Sequence, residues 1–535
     1  MKLAMAIVGW VRADPWRALL ALVAACYAVV QLVAVGPGMG LGWDEVVYVS
    51  QVDPRVPATD FIAPRARGIT LLVAPVVLLT ASTEALRVYL SLASALALYG
   101  AFLVWLRVRP GPVAPVAALL FASLWLSLFY GGEAMPNLWV AFGAVAAAGF
   151  LLRCLRPGGA VVPGRGPLAG LALCVAAVAL LRPPDSLWLV LGLTPALGWA
   201  ALRRAALRRA ALRPALALAA GLAAGWAEWV VEAYVRFGGL AARWRDAEAA
   251  NETGLHFSLY EHARALNGPL LCRPPADCGP ALPPWVAWWS AIPVLVLLGL
   301  HAARRRGRPA EGLVPAVAGL SMAAPYVFLV GYAAPRFLLP AYALLALPVA
   351  HAAAGLLAKA RGGTRRMGAA RVAGVAVAVG CLLAHLALQG VTLDKVVAPR
   401  LAERDADAEV ARALAGLGVR GPCLVYGERA VMIAYRAGCE GHTVLSWPSQ
   451  SEVPGALLAA RAAGKRVVAV DRGGAVPAPF LLSWERRPLE GRWFAYLPPA
   501  APARTTPTAS RPADARPLGR LTAPAPRAGA GRSGG

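Results

Sequence analysis

Apolar runs of about twenty residues recur over the first 390 positions, and no other feature limits the folding of this chain as much. A bilayer's hydrocarbon core, about 30 Å thick, needs roughly 20 consecutive apolar residues in a helix. Runs near 18–36, 84–106, 113–130, 137–153, 167–182, 187–201, 214–235, 284–301, 312–331, 337–357 and 372–389 predict about eleven transmembrane helices. Of the 535 residues, 59% are hydrophobic and 15% charged, where soluble domains have roughly 45–50% and 25%. An ordinary cytosolic enzyme, a disordered chain and a disulfide-stapled miniprotein are thereby excluded. The first run ends at Gly36-Pro37-Gly38 with no small-residue cleavage site, so the first helix is expected to be retained.

The 53 basic against 28 acidic residues give a net charge of +25. Their placement accounts for it without nucleic acid. Lys2, Arg12 and Arg17 precede the first run, and the loops after runs two, four, six, eight and ten are all rich in Arg; residues 236–283, on the opposite side, balance five Arg against five acids. Short basic loops mark the cytoplasmic face and attract anionic lipid. The reading is a multi-pass plasma-membrane protein with a cytoplasmic N-terminus. An odd number of helices then puts everything beyond about residue 390 outside the cell.

Three regions follow: a transmembrane domain at 1–390, an extracytoplasmic α/β domain at 391–500, and a Pro/Ala/Arg-rich tail at 501–535 expected to be disordered. In the second, helix patterns (Leu401–Leu417, Ala430–Ala437, Ala456–Ala463) alternate with strand-like segments (Cys423–Tyr426, Thr443–Trp447, Arg466–Asp471), followed by aromatic segments Phe480–Trp484 and Trp493–Tyr496. Alternation argues a mostly parallel sheet, and no Gly-x-Gly-x-x-Gly turn supports nucleotide binding there. Cys26, Cys154, Cys174 and Cys381 fall in predicted spans, whereas Cys272, Cys278, Cys423 and Cys439 fall outside them. Two local pairs in an oxidising compartment fit two disulfides. A zinc site is the alternative, although the spacing is not that of a ribbon or finger.

Chemistry concentrates in the first exterior loop, 37–83. Gly42-Trp43-Asp44-Glu45-Val-Val-Tyr48 places two adjacent carboxylates between aromatics at the membrane boundary. Solvated loop acids are the plain explanation, but more follows in the same loop. Ala63-Pro-Arg65-Ala-Arg67-Gly68 brings two cations, and Ile69–Thr80 is too short to span and reads as an interfacial helix. A reaction on a lipid-phosphate headgroup needs such parts: a carboxylate to take a proton and arginines to hold the departing phosphate. Glu133 in the next exterior loop is either a second carboxylate for substrate or a loop acid beside a helix start. His256 and His262 read as loop residues.

With these residues the chain resembles the GT-C superfamily of polyprenyl-phosphate-sugar-dependent membrane glycosyltransferases, especially the branch of aminoarabinose transferases and protein O-mannosyltransferases. Asp44, Glu45 and Tyr48 match its Asp-Glu pair and nearby aromatic; Arg67-Gly68-Ile69-Thr70 stands where a Lys-Pro-Pro-Leu motif is found, keeping the cation and losing both prolines. Glu84 and Arg87 match an acidic-x-x-Arg start of helix two, Leu181-Arg182-Pro183 an Arg-Pro at a helix end, and Arg336-Phe-Leu-Leu-Pro340 an Arg-Tyr-Leu-Leu-Pro segment. The resemblance implies inverting transfer from a lipid-linked sugar donor to a glycan, lipid or protein acceptor. Asp44 would be the base, Glu45 its orienter or a sugar ligand, and Arg67 the phosphate ligand, with Arg65, Arg182 and Arg336 as helpers and Tyr48 stacking on sugar. No cofactor is assigned, and a metal requirement is left open, since two carboxylates can bind a divalent cation or do without one. Two other classes compete: a non-catalytic scaffold whose exterior domain binds a partner, and a transporter, for which no internal repeat is evident.

Overall fold

The computed structural model describes residues 12–155, 164–203, 205–274, 278–361, 369–444, 451–473 and 477–499. The expected tail, 501–535, lies outside the described residues. Helix dominates, because nearly every apolar run must satisfy its own backbone polar groups where no water is present.

Helix α1 (Pro15–Val30) is capped by the Asp14 side chain and runs on through a π-helical turn, Gln31–Val35. The first loop then forms two helices, α2 (Trp43–Val49) and α3 (Gly68–Val77), the latter where the interfacial helix was expected. After them come α4 (Thr83–Val108), α5 (Val113–Ala122), α6 (Trp125–Gly131), α7 (Pro136–Cys154), α8 (Arg165–Leu181), α9 (Pro183–Arg203) and α10 (Ala205–Arg236). Two short helices, α11 (Leu240–Ala250) and α12 (Leu259–Ala265), precede α13 (Pro283–Arg305), α14 (Pro309–Phe328), α15 (Leu339–Arg361) and α16 (Ala369–Gly416). Among the described residues nine helices are long and apolar enough to cross a membrane, or ten if the pair α5 and α6 is one span.

The count differs from eleven for two reasons. The run at 113–130 is broken: α5 and α6 meet at an angle of 75°, with Leu124 extended between them. Helix α16 satisfies what the break exposes. Gln389 accepts a hydrogen bond from the Trp125 N–H at 2.9 Å, and His385 Nε2 sits 2.9 Å from the Ser123 hydroxyl. The run at 167–182 gives α8, only 17 residues long, which packs closely on α10. Gly221 and Gly225, one helical turn apart, lie against the carbonyls of Ala172 and Ala176, where any Cβ would collide. Small residues at this spacing let helix backbones touch in a membrane.

Helix α16 also departs from expectation. The run at 372–389 and the separate helix at Leu401–Leu417 are one 48-residue helix that carries the C-terminal domain. That domain holds β1 (Cys423–Gly427), α17 (Ala430–Ala437), β2 (Glu440–Thr443), α18 (Gly455–Ala462), β3 (Arg466–Asp471), β4 (Glu485–Pro488) and β5 (Phe494–Leu497). The sheet order is β2-β1-β3-β5-β4; the first three strands are parallel, the last two antiparallel. The second strand lies three residues earlier than the expected Thr443–Trp447, whose last three residues fall outside the described ones. Both cysteine pairs are bridged, Cys272–Cys278 and Cys423–Cys439. The domain rests on the first loop: Val431 and Met432 of α17 share an apolar cluster with Val46, Val47 and Tyr48 of α2.

Candidate active site

Helix α2 decides which way the two acids face. The Gly42 N–H donates to Glu45 Oε2 at 2.8 Å, half of a capping box in which the third helical residue bends back over the helix start. Glu45 is therefore turned into the protein, 1% exposed, while Asp44 keeps 26% of its side chain open.

Asp44 is gripped from two sides. Arg65 Nη2 donates to Oδ1 at 2.6 Å and Arg336 Nη2 to Oδ2 at 3.0 Å. Burial alone would raise this carboxyl's pKa, but the charges of Arg65, Arg336 and Arg182 outweigh it and hold the group below the ordinary carboxylate range. Arg65 lies between the rings of Trp43 and Tyr48, 5.1 and 5.0 Å from their centroids. Arg336 enters from the 3₁₀ turn before α15 and spends Nη1 on the Leu270 carbonyl, 3.3 Å away. Arg182 follows α8; it donates to the Tyr326 hydroxyl at 2.8 Å and pairs with Asp185 at 3.1 Å. Three guanidiniums thus face two carboxylates, and among the described residues the buried Nε–H groups of Arg65 and Arg336 meet no hydrogen-bond acceptor. An excess positive charge with spare donors is a site for an anion.

The structure brings together Asp44, Tyr48, Arg65, Arg182 and Arg336. It sets the other expected residues apart. Arg67, given first place as phosphate ligand, faces the opposite way: Nη2 and Nε donate to Glu232 at 2.5 and 3.0 Å, Nη1 donates to Gln51 at 2.9 Å, and the guanidinium lies 3.9 Å from the Phe61 centroid. The backbone turns into α3 at Arg67, and the Arg67 guanidinium is taken up by Glu232 and Gln51, so Arg65 and not Arg67 holds Asp44. Glu45 has both oxygens occupied, by Arg87 Nη1 at 2.5 Å and Nη2 at 2.8 Å and by the N–H groups of Gly42 and Ala134. Glu133 is buried and takes a hydrogen bond from Arg404 Nη2 at 2.6 Å. Tyr48 is 5% exposed, so its ring covers Arg65 and offers little face to a sugar, whereas Trp43 remains 41% exposed. His262 is buried on α12 against the Tyr326 carbonyl, and burial pushes its pKa down to about 4; His256 is exposed.

Asp44 and Glu45 do not converge, and among the described residues no three His, Cys, Asp or Glu side chains could hold a metal ion.

Several participants gave no signal in the resemblance. Arg243, fully buried, donates to the carbonyls of Ala63, Arg65 and Trp229 and to Glu232, fixing the strand of loop that presents Arg65. Glu232 was findable, since an acid within an apolar run is costly unless paired. Arg404 was not, being one charge among many in Glu403-Arg404-Asp405-Ala406-Asp407.

No family model matches the chain, and no curated protein matches it by sequence. Solved structures match it by shape. ArnT from Cupriavidus metallidurans in the apo state aligns with a TM-score of 0.59 at 15% identity, over 92% of this chain and 98% of ArnT. The ArnT structure bound to undecaprenyl phosphate gives 0.56 at 14%, over 89% and 97%. The archaeal oligosaccharyltransferase AglB from Archaeoglobus fulgidus, in complex with an inhibitory peptide and a dolichol-phosphate, gives 0.58 at 14%, over 86% and 70%. These are GT-C glycosyltransferases, and the likeness is one of fold: this chain is a multi-pass helical protein that shares their architecture.

Proposed function

We propose that the chain is a plasma-membrane glycosyltransferase that moves a sugar from a polyprenyl-phosphate donor to an extracytoplasmic hydroxyl. One observation carries the reading: a single partly open carboxylate, Asp44, is shared by a buried arginine, Arg65, and a part-buried one, Arg336, with a third arginine alongside. The ArnT and AglB structures named above, holding undecaprenyl phosphate and a dolichol-phosphate, support it through the shared fold. The first loop and C-terminal domain face the exterior in this reading. The acceptor oxygen attacks the anomeric carbon, the bond from that carbon to the phosphate oxygen breaks, and configuration inverts. The acceptor proton passes to Asp44; polyprenyl phosphate departs held by Arg65 and Arg336, with Arg182 adding charge. Arg67 and Glu45 are struts in this scheme, and the acceptor class stays a glycan, lipid or protein.

The test is release of polyprenyl phosphate from labelled polyprenyl-phosphate sugars by the purified protein. Wild type is expected to turn over a donor, and Arg336→Gln to bind that donor at least about tenfold more weakly, the loss of one charge-assisted contact. A protein that neither binds nor consumes any donor would overturn the proposal.

The clamp also dictates a pH signature. In the empty site Asp44 takes the place that a donor phosphate would claim on Arg65 and Arg336, and its pKa is held down. It therefore stays ionised as pH falls past the ordinary carboxylate value of about 3.9, and the acid limb of kcat/KM, which reports free enzyme, lies below that value. Bound phosphate competes for both guanidiniums, so the acid limb of kcat, which reports the complex, is expected at higher pH. Coincident limbs would show that Asp44 is not released by the donor.

A further inference from the structure

Helix α16 sends one arginine back to the first loop. The Arg404 side chain is 6% exposed; Nη1 donates to the Gly40 carbonyl at 2.8 Å and lies 3.5 Å from Glu45 Oε2, while Nη2 donates to Glu133 Oε1 at 2.6 Å. Arg87 closes the same segment from α4, donating to the carbonyls of Met39 at 2.9 Å and of Gly40 and Gly132 at 2.6 Å. Two guanidiniums thus occupy the backbone acceptors leading into α2. The backbone is shaped to receive them: a Cβ on Gly42 would come within 2.9 Å of Arg404 Nη2, and one on Gly40 would collide with the Arg436 guanidinium of α17. On its other side α2 is packed by Val431 and Met432, and Tyr435 donates to Asp53 at 2.7 Å just beyond the helix.

We propose that Arg404 is a positioning residue for catalysis, through which the docked C-terminal domain holds α2, and with it Asp44, in register. The inference rests on the glycosyltransferase reading and assigns the domain a part in the reaction. The donor clamp has anchors outside α2, the Arg65 carbonyl held by Arg243 and Arg336 held by the Leu270 carbonyl, while Trp43 and Tyr48 of α2 only flank the Arg65 guanidinium. Loss of Arg404 therefore moves the base more than the grip on phosphate. An error of about 1 Å in such a position costs on the order of 100-fold in rate.

Arg404→Gln alone strands the buried Glu133, so the decisive variant is Arg404→Gln combined with Glu133→Gln, which removes both charges of the pair together. The full-length protein is expected to lose about 10- to 100-fold in kcat with donor KM within about twofold of wild type. Hydrogen exchange at the amides of Val46–Ser50 is expected to rise by roughly tenfold or more as α2 is released. Unchanged kcat, a fall in kcat matched by lost donor affinity, or unchanged exchange at these amides would each overturn the inference. If wild type itself neither binds nor turns over any donor, the glycosyltransferase reading falls and the catalytic claim with it. Exchange then decides the docking alone: a rise keeps it and no change removes it.

Discussion

Asp44→Asn is expected to lower sugar transfer by about 10²- to 10⁴-fold, the usual contribution of a positioned general base. Asn keeps the size of the side chain and can accept a hydrogen bond from Arg65 or Arg336, so the loop need not rearrange. It cannot take the acceptor's proton. The substitution also removes the one negative charge shared by those two arginines, whose distances to it are 2.6 and 3.0 Å. Donor phosphate would meet a more positive site, and its KM should stay level or fall while kcat collapses. Single-turnover release of polyprenyl phosphate, beside donor binding, separates the two quantities. Equal turnover in wild type and Asp44→Asn would dismiss Asp44 as the base, and a rise in KM at constant kcat would make it a binding residue.

The second large effect falls on stability. Arg87→Met should destabilise the protein by about 3–5 kcal/mol, the cost of removing one partner from a buried ion pair. Arg87 and Glu45 are 3% and 1% exposed in their side chains, so solvent cannot take over the missing contact. The loss would also orphan the carbonyls of Met39 and Gly132, and Gly40 would keep only Arg404. Adding Glu45→Gln should recover much of the loss, since the stranded charge disappears although the orphaned carbonyls remain. Thermal unfolding in detergent, followed by tryptophan fluorescence, measures both. A single variant within about 1 kcal/mol of wild type would mean that the pair is not a stabilising contact.

Much of this was legible because a bilayer simplifies the code. Apolar runs of spanning length gave the helices, and Gly36-Pro37-Gly38 marked where the first loop begins. Cysteine spacing gave both bridges. What failed to show were features set by distant partners. The break at Ser123-Leu124 lies in an unbroken apolar run and exists because His385 and Gln389 satisfy the freed groups. The fusion of the last span with the following helix was hidden by Pro399 and the charges after it, which look like a fresh start. Arg67 stood ahead of Arg65 as the expected phosphate ligand, since Glu232, with which it pairs, lies 165 residues away. Spacing along a loop says which residues are neighbours in the chain, not which share a partner.

The long helix α16 makes the chain's geometry depend on counting. It is fastened at two levels, by His385 and Gln389 to the broken span and by Arg404 to the first loop. Each residue of an α-helix advances about 1.5 Å and turns about 100°. The residues between the two fastenings form a ruler: their identities on the exposed face are free to drift, while their number is not. One residue more or fewer would present a different side of the helix to Glu133, leaving every amino acid present and the first loop unattended.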